Sequence, residues 1–77
     1  MGDWLPEKAI AMERRHILDG EKRVARQEAL VSELIKKGNH RMAGDANELL
    51  GLFREILEVS RHRLRELEGQ YGGMWDR

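Results

Sequence analysis

The chain has 77 residues, of which 36% are charged and 40% are hydrophobic, and its 14 basic and 14 acidic side chains give a net charge of zero. This length predicts a single domain, and the composition is typical of a globular protein rather than a disordered or membrane-spanning one. The balanced charge provides no long-range attraction to nucleic acid or anionic lipid, and the absence of cysteine excludes disulfides, thiolate zinc sites and cysteine catalysis. No signal-peptide pattern or long apolar run is visible, so we expect a cytoplasmic location and no membrane contact.

The first predicted helix covers about residues 6–37. Pro6 suits the first turn of a helix, and Gly38 can adopt the left-handed conformation that ends one. Branched apolar side chains recur every seven residues between these limits, which is the spacing of helices packed in a left-handed coiled coil or bundle. They are Ile10, Ile17, Val24 and Val31. Gly20 is expected to be a weak point of this otherwise continuous helix.

The second predicted helix covers about residues 40–69 and carries the stronger pattern. Its apolar stripe follows steps of three and four, which place the side chains on one helix face. The stripe consists of Ala46, Leu49, Phe53, Ile56, Leu57, Leu64 and Leu67. Two starts are open, since either Asn39 is the N-cap or Asp45 forms a capping box with Glu48. Gly69 predicts the end of the helix, and residues 70–77 are expected to form a flexible tail.

A short connection predicts that the two helices run antiparallel. The expected fold class is therefore all-α, an antiparallel two-helix hairpin that occupies residues 1–77 as one domain. The two chain ends then meet at the open end of the hairpin. We expect the aromatic side chains of Trp4, Tyr71 and Trp75 to close that end, with a frayed C-terminal tail as the alternative.

The apolar surface of the second helix is too wide for one partner helix. Leu50, Leu52 and Val59 flank the central stripe, so that apolar residues span about half of the helix circumference. Ordering 77 residues costs on the order of 115 kcal/mol, a compact globule recovers about 117 kcal/mol, and two helices bury less than a globule does. We therefore expect a homodimer that forms a four-helix bundle, with the orientation of the hairpins left open. The predicted interface consists of Leu49, Leu52, Phe53, Ile56, Val59 and Leu64.

Polar residues interrupt the apolar stripe of the first helix. His16 and Gln27 are predicted to be interfacial, alongside Glu13 and Gly20, because a buried polar group that finds a partner fixes helix register or oligomeric state. A small-molecule site around His16 and Gln27 is the alternative. The three histidines do not have the spacing of metal ligands, so we predict neither a metal nor a cofactor.

The densest basic cluster consists of Arg61, Arg63 and Arg65. Glutamates at helical neighbour spacing favour a solvated face of ion pairs. The alternative is a hairpin dimer that presents this arginine face to RNA or DNA. No set of residues with nucleophile spacing, glycine-rich phosphate loop or isolated carboxylate pair is visible, so we predict a protein without enzyme activity.

The segment HILDGEKRVARQ, from His16 to Gln27, carries the pattern His-x3-Gly-Glu-x-Arg-x3-Gln. Together with Leu34, Gly38 and the stretch from Ala46 to Leu50, this pattern resembles a group of small uncharacterised bacterial helical-hairpin proteins over about residues 15–67. The segment between Gly38 and Ala46 is longer here than in that group. The resemblance implies a helical hairpin and carries no established activity. The candidates for a shared feature are His16, Glu21, Arg23 and Gln27.

These observations predict a function through protein contacts rather than through chemistry. The expected protein is a bacterial, non-enzymatic helical interaction module that dimerises and binds an unidentified protein partner. RNA or DNA binding by the arginine face is the alternative function.

Overall fold

A computed structural model describes residues 5–71 of the chain. This part consists of two α-helices, α1 (Pro6–Lys36) and α2 (His40–Tyr71), which pack against each other along their length. With 31 and 32 residues, each helix is about 47 Å long. The predicted all-α two-helix hairpin is confirmed, and α1 is continuous through Gly20. Over residues 5–71, neither helix combines the length and apolar character needed to cross a membrane.

The end of α1 is fixed by a glycine in the left-handed conformation. Gly38 has a φ of 75° and its N–H donates to the carbonyl oxygen of Ile35 at 3.0 Å. The N–H of Asn39 donates to the carbonyl oxygen of Leu34 at 2.9 Å. These two bonds form a Schellman motif, which satisfies carbonyl groups that the last helical turn leaves unpaired. The helix therefore ends before Gly38, which adopts the left-handed conformation, whereas Gly20 remains helical.

The start of α2 settles the choice between the two predicted caps. Asn39 is the N-cap, because the backbone N–H of Met42 points to its Oδ1 at 3.4 Å and the helix begins at His40. Asp45 lies inside α2, so the alternative capping box is wrong. The connection between the helices is only three residues long, which forces the antiparallel arrangement.

The C-terminal end of α2 differs from the prediction. The helix continues through Gly69 and ends at Tyr71, which is half-buried. A glycine ends a helix when it turns left-handed, and among residues 5–71 Gly38 alone has a positive φ. The predicted tail is thus helical at its first two residues, while residues 72–77 lie outside the described part. Trp4 and Trp75, predicted to close the open end, also lie outside it.

The contact between the helices is a heptad seam, which we call the inner seam. Its members recur at alternating steps of three and four, and all of them are buried or half-buried. On α1 they are Ile10, Glu13, Ile17, Gly20, Val24, Gln27, Val31 and Leu34. On α2 they are Ala43, Ala46, Leu50, Phe53, Leu57, Ser60, Leu64 and Leu67.

Five of the seven residues of the predicted stripe on α2 lie on the inner seam, but Leu49 and Ile56 do not, and Leu50 takes an inner position instead. Leu50 and Leu57 are 3% and 6% exposed, whereas Leu49 and Ile56, predicted at the centre of the stripe, are 42% and 48% exposed. Neighbouring positions on a helix differ by about 100°. Because both members of the pair Leu49 and Leu50 are apolar, the period allows either to face inward, and the contacts with α1 decide between them.

Candidate functional site

Two residues of α1 bring the helices close together in the middle of the inner seam. Gly20 lies against Leu57, so closely that a Cβ atom at Gly20 would be 3.0 Å from the Cδ1 atom of Leu57. One heptad further on, the Nε2 of Gln27 donates a hydrogen bond of 2.8 Å to the backbone carbonyl oxygen of Ala46. Gln27 is buried, and this bond removes the cost of burying its amide N–H. Both contacts depend on one register of α1 against α2.

Glu13 is the least satisfied group of the inner seam. Its residue surface is only 6% exposed, and within residues 5–71 its Oε2 has no hydrogen-bond partner. Among residues 5–71, the side-chain nitrogens close to this carboxyl group are the Nδ1 of His16 at 3.5 Å and the Nη1 of Arg63 at 3.8 Å. Both distances exceed those of a charge-assisted hydrogen bond. The carboxylate is therefore buried at a cost that these two contacts only partly offset.

One border of the inner seam carries three ion pairs between the helices, which we call the ion-pair ladder. Arg14 Nη2 lies 2.7 Å from Glu68, Arg54 Nη2 lies 2.8 Å from Glu28, and Arg61 Nη2 lies 3.2 Å from Glu21. The rungs are seven residues apart on each helix, as expected for antiparallel heptads. Hydrogen bonds to Glu58 and Glu21 raise the pKa of Arg61 above its ordinary value.

The opposite border of the inner seam is apolar and open on α2. Five large apolar side chains there are between 42% and 55% exposed. They are Met42, Leu49, Leu52, Ile56 and Val59, and we call them the outer seam. With Asp45 between the first two, their positions repeat the alternating steps of three and four that define a heptad seam. The helix thus has a second packing face that α1 does not cover.

Two hollows lie between the outer seam and α1. At the turn end, Met42 and Leu49 border Leu30 and Leu34 in an open apolar hollow of about 300 Å³. Nearer the open end, Ile56 borders His16, Arg23, Ser60 and Arg63 in a second hollow of similar volume. The outer seam is therefore continuous with a concave surface on the same side of the hairpin, which is apolar at one end and polar at the other.

The six predicted interface residues separate into two groups. Leu49, Leu52, Ile56 and Val59 lie together on the outer seam, whereas Phe53 and Leu64 are half-buried members of the inner seam. Phe53 is covered by the guanidinium group of Arg23, 5.6 Å from the ring centroid. Leu64 lies in a hollow near the ladder residues Arg14 and Glu21. The predicted interface left out Met42 and Asp45, although their heptad spacing to Leu49 and Leu52 was visible.

The His-x3-Gly-Glu-x-Arg-x3-Gln pattern of α1 lies at the contact with α2. Gly20 contacts Leu57, Glu21 belongs to the ion-pair ladder, and Gln27 binds Ala46. Arg23 covers Phe53, while His16 is exposed and adjoins Glu13. His16 and Gln27 line different hollows, so the structure does not bring them together around one ligand-sized space. These positions favour a motif that maintains the register of the hairpin.

The three arginines of the predicted basic face do not share a face. Arg61 is held in the ion-pair ladder, while Arg63 is near Glu13 on the opposite border. Residues two positions apart on a helix differ by a rotation of about 200° around its axis, so the side chains of Arg61 and Arg63 leave α2 in nearly opposite directions. Arg65 forms no ion pair with any residue between 5 and 71.

Comparisons with protein-family models, with curated proteins and with solved structures find no match to this chain. Within residues 5–71, no three histidine, aspartate or glutamate side chains come close enough together to hold a metal ion. The feature with the clearest physical consequence is then the outer seam, because it is a large apolar surface next to water.

Proposed function

We propose that the protein is a non-enzymatic helical interaction module that acts as a homodimer through the outer seam of α2. The observation that carries this proposal is the exposure of five large apolar side chains in heptad spacing on one helix face. Such a face buries its side chains when a second helix packs on it. A self-complementary patch on a single helix face leads most simply to a two-fold symmetric dimer, here a four-helix bundle.

The thin interior of the hairpin supports the same proposal. Among residues 5–71, the buried hydrophobic residues are Ile10, Ala43, Ala46, Leu50 and Leu57, of which two are alanines. No side chain in this range is less than 2% exposed. By contrast, ten large hydrophobic residues are exposed. Since burial of apolar surface is the main favourable term in folding, a second copy supplies burial that one hairpin lacks.

Sedimentation equilibrium tests the proposal directly. We expect the wild-type protein to have twice the mass of one chain at micromolar concentration. Ile56→Glu places a charge in the middle of the outer seam and should yield a helical monomer. Leu18→Glu is the matched control, because Leu18 is 59% exposed on α1 and lies beside Arg14 and Glu21 on the border opposite the outer seam, so that its replacement should leave the dimer intact. A wild-type mass of one chain with full helicity would contradict the proposal.

Nucleic-acid binding is the weaker candidate, because Arg61 and Arg63 face opposite borders of the hairpin and both lie near glutamates. It predicts an affinity that falls with salt and that decreases when Arg61, Arg63 and Arg65 are replaced by glutamine. A mobility-shift titration at low salt with single-stranded and double-stranded RNA and DNA measures this. Retention of the probe by the wild-type chain, and its loss in the triple variant, would establish nucleic acid as a partner.

A further inference from the structure

We infer that the two copies pack their α2 helices antiparallel, centred near residue 54, so that Asp45 of one subunit pairs with Arg63 of the other. This inference rests on the proposed dimer and specifies its geometry. It follows from the order of apolar and charged residues along the outer seam, because an antiparallel pair brings the beginning of the seam in one copy against its end in the other.

Four of the five apolar residues of the outer seam are symmetric about residue 54, and the fifth, Met42, would face Glu66 of the partner subunit. Leu52 and Ile56 lie two residues on either side of this centre, and Leu49 and Val59 lie five residues on either side. In an antiparallel pair of helices, residues at equal distances from the centre face each other. Leu52 of one copy therefore meets Ile56 of the other, and Leu49 meets Val59, so that all four side chains of each copy find an apolar neighbour.

The charged residues that flank these four side chains along the same row have the same symmetry. Asp45 lies nine residues before residue 54, and Arg63 lies nine residues after it. The two-fold axis thus places an acidic and a basic side chain opposite each other at both ends of the contact. Both are available, because Asp45 is exposed and the Arg63 side chain is 61% exposed with only a 3.8 Å contact to Glu13. Opposite charges across an interface select orientation more than they add affinity.

In a parallel pair of α2 helices, the charged residues of the seam would meet residues of the same charge. The parallel arrangement would place Asp45 next to Asp45 of the partner subunit and Arg63 next to Arg63 of the partner subunit. Glu66, which occupies the next position of the same heptad row, would also meet its own copy. Like charges at equivalent positions destabilise a helix pair, so the same apolar residues can pack in parallel only against three repulsive contacts.

Charge reversal at the two ends tests the predicted pairing. Asp45→Arg and Arg63→Asp, both made in a Glu13→Leu background so that residue 63 no longer faces the buried carboxylate, should each weaken the dimer about tenfold, because the single reversal creates two like-charge contacts per dimer. In the same background, the double variant Asp45→Arg with Arg63→Asp should recover a dissociation constant within about threefold of that of Glu13→Leu alone. Asn47→Arg and Arg65→Asp are matched controls, since they make similar charge changes on α2 at exposed positions outside the outer seam. The dissociation constants come from sedimentation or dilution fluorescence.

Cysteine crosslinking tests the centre independently, and the chain contains no native cysteine. In the antiparallel pair, residue 52 is adjacent to residue 56 of the partner. The two copies of residue 52 are separated by about 6 Å along the helix axis, in addition to the distance between the two helices. Their Cα atoms are therefore too far apart for a disulfide. Mixing Leu52→Cys with Ile56→Cys should therefore give the mixed disulfide, and Leu52→Cys alone should crosslink poorly.

The outcomes separate the geometry from the dimer itself. A monomeric wild-type protein overturns both. A dimer in which Leu52→Cys crosslinks to itself, or in which the double charge reversal fails to recover affinity, overturns only the antiparallel pairing.

Discussion

The side-chain amide of Gln27 hydrogen-bonds the backbone carbonyl oxygen of Ala46 across the inner seam, at 2.8 Å. The bond requires the side-chain amide of Gln27 to lie beside the carbonyl group of Ala46, so sliding α1 along α2 would break it. A leucine in the place of Gln27 would pack but would not distinguish registers in this way. The hydrogen bond thus specifies the hairpin, in addition to stabilising it.

Replacing Gln27 by glutamate should destabilise the protein by about 2 kcal/mol, because the isosteric carboxylate cannot donate to Ala46 and is left buried without a partner. Urea unfolding followed by circular dichroism, at one fixed protein concentration, measures the change. Asn47→Asp makes the same chemical change at an exposed position of α2 and should shift stability by less than about 0.5 kcal/mol. Equal effects of the two substitutions would show that the hydrogen bond contributes little.

Replacing Gly20 by alanine and replacing Gly44 by alanine should have different effects on stability. Both lie within helices, where alanine is favoured over glycine by about 1 kcal/mol. A Cβ at Gly44 meets nothing within 4 Å, whereas a Cβ at Gly20 would press on Leu57 at 3.0 Å. We expect Gly44→Ala to stabilise by about 1 kcal/mol and Gly20→Ala by less than half as much, because Leu57 must move by a few tenths of an ångström. Gly20→Leu should destabilise strongly. A full gain at Gly20 would mean that the helices are not in close contact there.

Glu13→Leu should leave stability unchanged or raise it by up to about 2 kcal/mol, because the substitution removes a buried carboxylate whose contacts to His16 and Arg63 are long. The thermal midpoint at fixed concentration measures this. Glu33→Leu on the exposed face of α1 provides the comparison and should change little. If Glu13→Leu instead lowers stability by more than about 1 kcal/mol, the buried carboxylate contributes favourably to folding through its cationic neighbours.

The ion-pair ladder should contribute modestly to the free energy of unfolding, and its contribution should decrease as the salt concentration rises. Arg54→Glu places a like charge opposite Glu28 and should lower the free energy of unfolding by about 0.5–1 kcal/mol. Exchanging both charges, Glu28→Arg with Arg54→Glu, should recover most of this stability. Both side chains are about half exposed, at 54% and 50%. In 1 M salt the difference between the variants should nearly disappear, because the screening length falls to about 3 Å. A loss that persists in high salt would indicate lost packing rather than lost charge.

The sequence alone determines that the chain forms two helices, where α1 begins and ends, and that α2 carries a surplus of apolar surface; it leaves the start of α2 open between Asn39 and Asp45. Pro6 and Gly38 bound α1 because one preorganises a first turn and the other adopts a positive φ. The heptad row that begins with Ile10 and ends with Val31 is part of the inner seam, as its spacing indicates. The excess of leucine, isoleucine and valine on α2 is also visible in the sequence, because projecting the residues around the helix axis shows how much of the circumference is apolar.

The tertiary structure decided which of those apolar rows faces α1. Leu50 and Leu57 are buried while Leu49 and Ile56 are exposed, although both rows satisfy the helical period. Periodicity is a property of one helix, and it leaves the inward direction uncertain by about one residue where adjacent positions are both apolar. The choice depends on what the other helix offers, here the space at Gly20 and the glutamates of the ladder. For the same reason, the separation of Arg61 from Arg63 became visible only when α1 supplied their partners.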